Sequence, residues 1–175
     1  WAKTAATSTP SWHPLILQLL DVGVCVDAIL RREPETTRRR MADVIGLPWE
    51  DARPWLLLVI ACHDLGKACP GFQMKWDGAA ELLSKSGLQI PPYPVTGINH
   101  AFVSQIALSE ILREMGWQTE LADLAADAVG CHHGSRSSPK TLDDLGGNRS
   151  ALGERDWTQA RLEIFEAVRN VLKPL

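Results

Sequence analysis

Trp55-Leu56-Leu57-Leu58-Val59-Ile60-Ala61-Cys62-His63-Asp64-Leu65-Gly66-Lys67 is the stretch on which the reading turns. An unbroken apolar run from Trp55 to Cys62 leads straight into the pair His63-Asp64, and Leu65-Gly66-Lys67 then turns the chain. The run is far short of the ~20 residues that cross a bilayer. Asp51 stands where an N-cap belongs, so the spacing predicts a helix from about Asp51 that delivers His63 and Asp64 at its C-terminal end.

Outward from this stretch, apolar residues recur at helical rather than alternating spacing. One stripe is Leu15, Leu19, Val22, Val26 and Ile29/Leu30, and a second is Val103, Ala107, Ile111 and Met115. A third runs Leu121, Leu124, Ala125, Ala128, Val129, and a fourth Ala160, Ile164, Ala167, Val168, Val171. Pro34, Pro48, Gly87, the Pro91-Pro92-Tyr93-Pro94 stretch and Gly146-Gly147 punctuate them. No strand pair with a tight hairpin turn is evident. The expectation is an all-α bundle of about six or seven helices, with residues 65–76, 87–98 and 134–154 as long irregular loops. Arg31, Arg32, Arg38, Arg39 and Arg40 read as a solvated helix connection.

The chain has 175 residues, 45% of them hydrophobic and 22% charged, with a net charge of −3. That is one ordinary domain, residues 1–175, and excludes a disordered tail or a coiled coil. A protein that coats duplex DNA shows a basic excess, and this one does not, so any nucleic acid is met at a local site. Cys25, Cys62, Cys69 and Cys131 form no CxxC pair and are too sparse for a disulfide scaffold. They read as reduced, mostly buried thiols of a cytoplasmic protein with no membrane association. The chain opens at Trp1 rather than Met and is expected to be an excised N-terminal part of a longer protein.

Four of the five histidines fall at helix ends beside loops: His63, His100, and the pair His132-His133. Imidazole and carboxylate are the usual ligands of Mn, Fe, Co, Ni or Zn, and three helices can supply one mixed site. Adjacent helical residues point ~100° apart, so His132 and His133 share a site only near a frayed helix end, where Gly130 and Gly134 permit close approach. Each histidine alone also reads as a hydrogen-bonded core or surface residue. The specific signal is the ordered set of strings.

Those strings are His63-Asp64-Leu65-Gly66-Lys67, Phe72-Gln73, Asn99-His100 and Gly130-Cys131-His132-His133-Gly134. They resemble the HD superfamily of metal-dependent phosphohydrolases. Trp1-Ala2-Lys3, His13-Pro14-Leu15-Ile16 running into Leu20-Asp21-Val22, and Gly71-Phe72-Gln73 resemble one branch, the CRISPR-associated HD nuclease domain of the type I helicase-nuclease effector. The resemblance runs from Trp1 to about Gly134, and the segment Trp157 to Leu172 fits the family's later helices.

The resemblance implies an HD fold with two ions. One is held by Asp64, His100, His132 and His133; the other by His63 and the bridging Asp64, with an earlier histidine and a late aspartate. A metal-activated hydroxide would attack the phosphodiester of single-stranded DNA in antiviral CRISPR interference. Lys67 resembles the family lysine that faces the scissile phosphate, though it also reads as a solvated loop lysine. The implied partners are single-stranded DNA, a fused or separate helicase module and the type I RNA-guided surveillance complex. Mn, Fe, Ni, Co, Zn and Mg are not distinguished.

Two positions depart from the pattern. Gln18 stands where the early histidine belongs, either as a plain polar helix residue or as a lost ligand; His13 lies on another face and does not replace it. The late aspartate has no match within residues 1–175, because Asp156-Trp157 lacks the small apolar lead-in; either the sequence stops before that helix or the protein lacks it. The expectation is therefore one divalent ion firmly bound and a second bound weakly. Two alternatives stay open: a nucleotide phosphohydrolase of the same superfamily, and a weakened metal-binding scaffold.

Overall fold

The computed structural model describes residues 1–4, 12–76, 78–92, 95 and 97–174. Its long helices are α1 (Leu15–Leu30), α2 (Glu35–Ile45), α3 (Trp49–Ala61), α6 (His100–Glu114), α7 (Thr119–Gly130) and α10 (Arg155–Leu172). Between them lie a 3-10 segment (Cys62–Lys67), α4 (Pro70–Gln73), α5 (Ala79–Lys85), α8 (Pro139–Gly146) and α9 (Arg149–Leu152). The chain is all-α, as its periodicity indicates. The described residues nevertheless hold ten α-helices rather than six or seven. The extra ones are one or two turns long, too short for a 3.6-residue period to show. Three of them, α4, α8 and α9, occupy parts of 65–76 and 134–154, which the sequence presents as irregular, and α5 lies between the first two expected loops.

A two-residue antiparallel pair also forms, with Lys3 opposite His13 and Thr4 opposite Trp12. Two residues carry no alternation, so no strand signal precedes it. Tyr93 and Pro94 of the proline-rich stretch lie outside the described residues. No helix among the described residues is long and apolar enough to cross a membrane.

Three helices begin directly after proline. Pro14, Pro34 and Pro48 sit at φ near −57° with extended ψ, and their carbonyls accept from Gln18, Arg38 and Ala52 backbone N–H. Proline's fixed φ and missing donor suit it to this boundary. Consequently α3 starts at Trp49, and Asp51 lies in its first turn instead of capping it.

The core gathers Leu15 and Leu19 of α1, Leu58 of α3, Leu65, Leu108 and Leu112 of α6, and Phe165 and Val168 of α10. Two stripes are rotated from the sequence reading. In α7 the inward face is Ala122, Ala126 and Val129, and Leu124 points outward. In α10 it is Trp157, Arg161, Phe165 and Val168, because the large aromatic side chains bury more area than the alanines and isoleucine of the other face. Cys62 and Cys69 are buried and Cys25 is exposed; burial pushes the Cys62 thiol up to about 12.

Candidate metal centre

The 3-10 segment carries His63, Asp64 and Lys67, and it packs against α6 and α7. Its approach to α6 depends on Gly66. A Cβ there would collide with the backbone of His100, Val103 and Ser104. The Gly66 N–H donates to Ser104 Oγ at 2.7 Å, and that hydroxyl donates to the His100 carbonyl at 3.0 Å. This contact lays the first turn of α6 on the segment and sets His100 beside Asp64. Asn99 caps α6, accepting from Ala101 N–H.

His132 and His133 follow the last residue of α7, Gly130, in a turn that leaves the helix through Gly134 at φ 78°. Leaving the helix is what lets adjacent histidines face one site. Gly130 is required here as well, since a Cβ would strike the Gln105 side chain.

Asp64 is 4% exposed. Its Oδ1 lies 3.0 Å from His100 Nε2 and 3.4 Å from His132 Nε2. Neither approach has hydrogen-bond geometry, and both Asp64 Oδ1 and His132 Nε2 are buried without a hydrogen-bond partner. His132 Nδ1 sits 2.8 Å from the Val129 carbonyl, which assigns the proton to Nδ1 and leaves a lone pair on Nε2. His133 Nε2 is 3.0 Å from His100 Nε2. One donor atom from each of Asp64, His100, His132 and His133 lies within 4.8 Å of the others. Two orphaned electron-pair donors amid two further imidazoles make a set that a divalent cation satisfies. The residues present fit one such ion.

Protonation agrees with ligation. Burial would raise the Asp64 carboxyl, but His100, His63 and Lys67 close around it outweigh burial and hold it well below the usual carboxylate range. Burial lowers both His132 and His133, favouring the neutral, ligating imidazole.

The other oxygen, Oδ2, has different company. Lys67 Nζ lies 2.8 Å away, His63 Nε2 3.1 Å, and Gln18 Nε2 donates to it. Lys67 is 7% exposed, so it is no solvated loop lysine. Gln18, on α1, is equally buried. His13 is on a strand, not a helix, and pairs with Asp21 at 3.2 Å. Asp156 Oδ2 accepts from Gln89 N–H at 2.5 Å, away from the cluster.

Two positioning side chains, Ser104 and Arg161, escaped the sequence reading, and Gln73, quoted there in the Phe72-Gln73 string, had no role assigned to it. Ser104 makes the bridge described above. Gln73 Nε2 donates to the Lys67 and Trp1 carbonyls at 2.8 Å each, tying the N-terminal strand to the segment. Arg161 of α10 donates to the carbonyls of Ala68 at 2.9 Å and Leu152 at 2.8 Å. Only a polar residue on an otherwise apolar face hinted at them.

The Cas3 HD domain family model matches residues 1–175, well past Gly134. The CRISPR-associated endonuclease/helicase Cas3 of Thermus thermophilus is 34% identical over 170 residues, covering 96% of this chain and 18% of that protein. A crystal structure of a CRISPR-associated protein superposes with TM-score 0.90 at 29% identity, over 99% of this chain and 19% of that one. The Thermus thermophilus Cas3 HD domain, crystallised in the presence of Ni2+, superposes with TM-score 0.70 at 30% identity, over 98% of this chain and 63% of that one. The chain spans about a fifth of the longer relatives it matches. With the all-α fold, the H-D segment against α6 and a match along its whole length, the chain belongs to the Cas3 HD domain family.

Proposed function

We propose that the chain is the metal-dependent nuclease domain of a type I CRISPR helicase-nuclease, hydrolysing single-stranded DNA. The observation that carries this is the pair of buried, unpartnered donors, Asp64 Oδ1 and His132 Nε2, at the centre of an imidazole cluster. The Thermus relative named as an endonuclease/helicase supports the class of reaction.

Asp64, His100, His132 and His133 would hold the ion. A divalent ion bound there supplies an activated water and neutralises charge building on the phosphodiester. The ionised Asp64 carboxylate offsets part of the ion's charge. The exposed side of His133 leaves the cluster open to solvent, giving the strand its approach. His63, with Nδ1 against the carbonyls of Ile60 and Ala61, presents Nε2 beside Asp64, where it can hold a proton taken from the attacking water. A net charge of −3 gives little general grip on a duplex, so one flexible strand, fed by a helicase module at the surveillance complex in the cytoplasm, is the substrate we infer.

Cleavage of labelled single-stranded and duplex oligonucleotides, by chelator-treated protein given back Mn2+ or Ni2+, tests this. Metal-dependent cutting with single strands preferred is expected. Equal rates on both substrates, or cutting indifferent to metal, would overturn it.

A further inference from the structure

Asp64 meets a lysine ammonium on one side only, at Oδ2. We propose that Lys67 and Gln18 close the second cation position beside Asp64, so that this centre takes a single divalent ion and uses the Lys67 ammonium as its fixed second charge. The inference rests on the reading that the Asp64 cluster holds an ion.

A second ion would need the lone pairs of Asp64 Oδ2. Lys67 Nζ, 2.8 Å away, and the Gln18 amide N–H already take them. The glutamine does not substitute for an imidazole ligand. With its Nε2 donating to Oδ2, its Oε1 faces Lys67 Nζ at 3.5 Å; the flipped amide would set oxygen against carboxylate oxygen. Position 18 therefore presents a donor where a metal requires a lone pair. Of the other implied ligands, His63 Nε2 lies 3.1 Å from Oδ2, and Asp156 is engaged with Gln89 away from the cluster.

Lys67 is held in place. Its ammonium lies 3.4 Å from the Ala2 carbonyl and 5.3 Å from the centre of the Phe72 ring, and its own carbonyl accepts from Gln73. A buried lysine fixed against the shared carboxylate repels a dication from that side and does not reach out toward a phosphate. Lys67 is then a charge-compensating, positioning residue. It draws on the same carboxylate as the ion, so removing it strengthens the ion's hold.

Metal stoichiometry and affinity, read by calorimetric titration of chelator-treated protein with Mn2+ or Ni2+, test the proposal. The parent protein is expected to take one ion. K67M should bind that ion at least about tenfold more tightly, a gain of about 1.4 kcal/mol. K67R, which keeps the charge, should match the parent, and Q18H alone should stay at one ion because Lys67 remains. Only the double variant Q18H/K67M should move toward two. Two ions in the parent or in Q18H would overturn the proposal, as would unchanged or weaker affinity in a K67M protein that retains its helical circular dichroism. Should K67M not fold, the stoichiometry of Q18H decides. No ion in the parent would overturn the metal-centre reading itself.

Discussion

His100 of α6 and His133 of the turn after α7, 33 residues apart, bring their Nε2 atoms to 3.0 Å. Without an ion, one of the two must donate a proton to the other; with one, both lone pairs have a common partner. Burial lowers the proton affinity of His132 and His133. A lowered pKa means protons compete with metal only at more acidic pH. Metal affinity should accordingly be flat from about pH 8 to 7 and fall only as pH drops below about 6.5, the ordinary imidazole value. Equilibrium dialysis across this range measures it. A decline already between pH 8 and 7 would implicate a thiol such as Cys131 in place of the histidines.

The Gly66–Ser104 contact makes a separate prediction. Ser104→Ala leaves the buried Gly66 N–H without its acceptor, which costs about 1–3 kcal/mol in denaturant titrations. Because the same bridge sets His100, metal affinity should fall about 10- to 100-fold. Gly66→Ala should be worse on both counts, since its methyl group meets backbone that has no room to move. Wild-type metal affinity in Ser104→Ala would show that His100 is placed by other contacts.

How much of this was legible in the sequence depended on the length of each signal. The stripes Leu15–Leu30 and Val103–Met115 lie in long helices, and the periodicity located both. The face of α10 was misassigned because alanine and valine spacing competed with Trp157 and Phe165, whose bulk decided the packing; in α7 two overlapping stripes were available, and the helix buries the one of Ala122, Ala126 and Val129 while Leu124 faces out. The strings His63-Asp64, Asn99-His100 and His132-His133 marked the elements that converge. What they could not reveal was the division of labour between the two oxygens of Asp64, which exists only once α1 delivers Gln18 to the 3-10 segment. Ser104 was silent because a single buried polar residue has no pattern, and the Phe72-Gln73 string did not disclose that Gln73 ties Trp1 to Lys67.

Asp64 itself changes the mutational expectation. The sequence places it at a helix end, where truncation to alanine would spare the fold. Its burial against Lys67 means Asp64→Ala strands a buried ammonium, a loss of about 3–5 kcal/mol. Asp64→Asn, which still offers Lys67 an oxygen, should stay folded by circular dichroism while losing more than about a hundredfold in metal affinity and its metal-dependent cleavage. Undiminished cleavage by a folded Asp64→Asn protein would end the nuclease-site reading.

Away from the centre, Asp27 joins α1 to α3 through Arg53 and also accepts from Arg31 at 2.8 Å. Burial works against its charge, but the Arg31 hydrogen bond and the Arg53 charge prevail and lower its pKa. A depressed folded pKa gives stability that is present above the ordinary aspartate value and lost as pH falls below it. Asp27→Asn should cost no more than about 1 kcal/mol at pH 7, and the difference should vanish as pH falls below about 4. Urea midpoints of both proteins across that range check the sign.

The central claim is that Asp64, His100, His132 and His133 together hold a divalent ion. X-ray absorption at the metal edge of the Ni2+-loaded protein tests it most directly. The account predicts the multiple-scattering pattern of three imidazoles, with nitrogen and oxygen neighbours at about 2.0–2.2 Å, and loss of one imidazole in His133→Ala. A sulfur shell at about 2.3 Å, or a spectrum unaltered by His133→Ala, would contradict it.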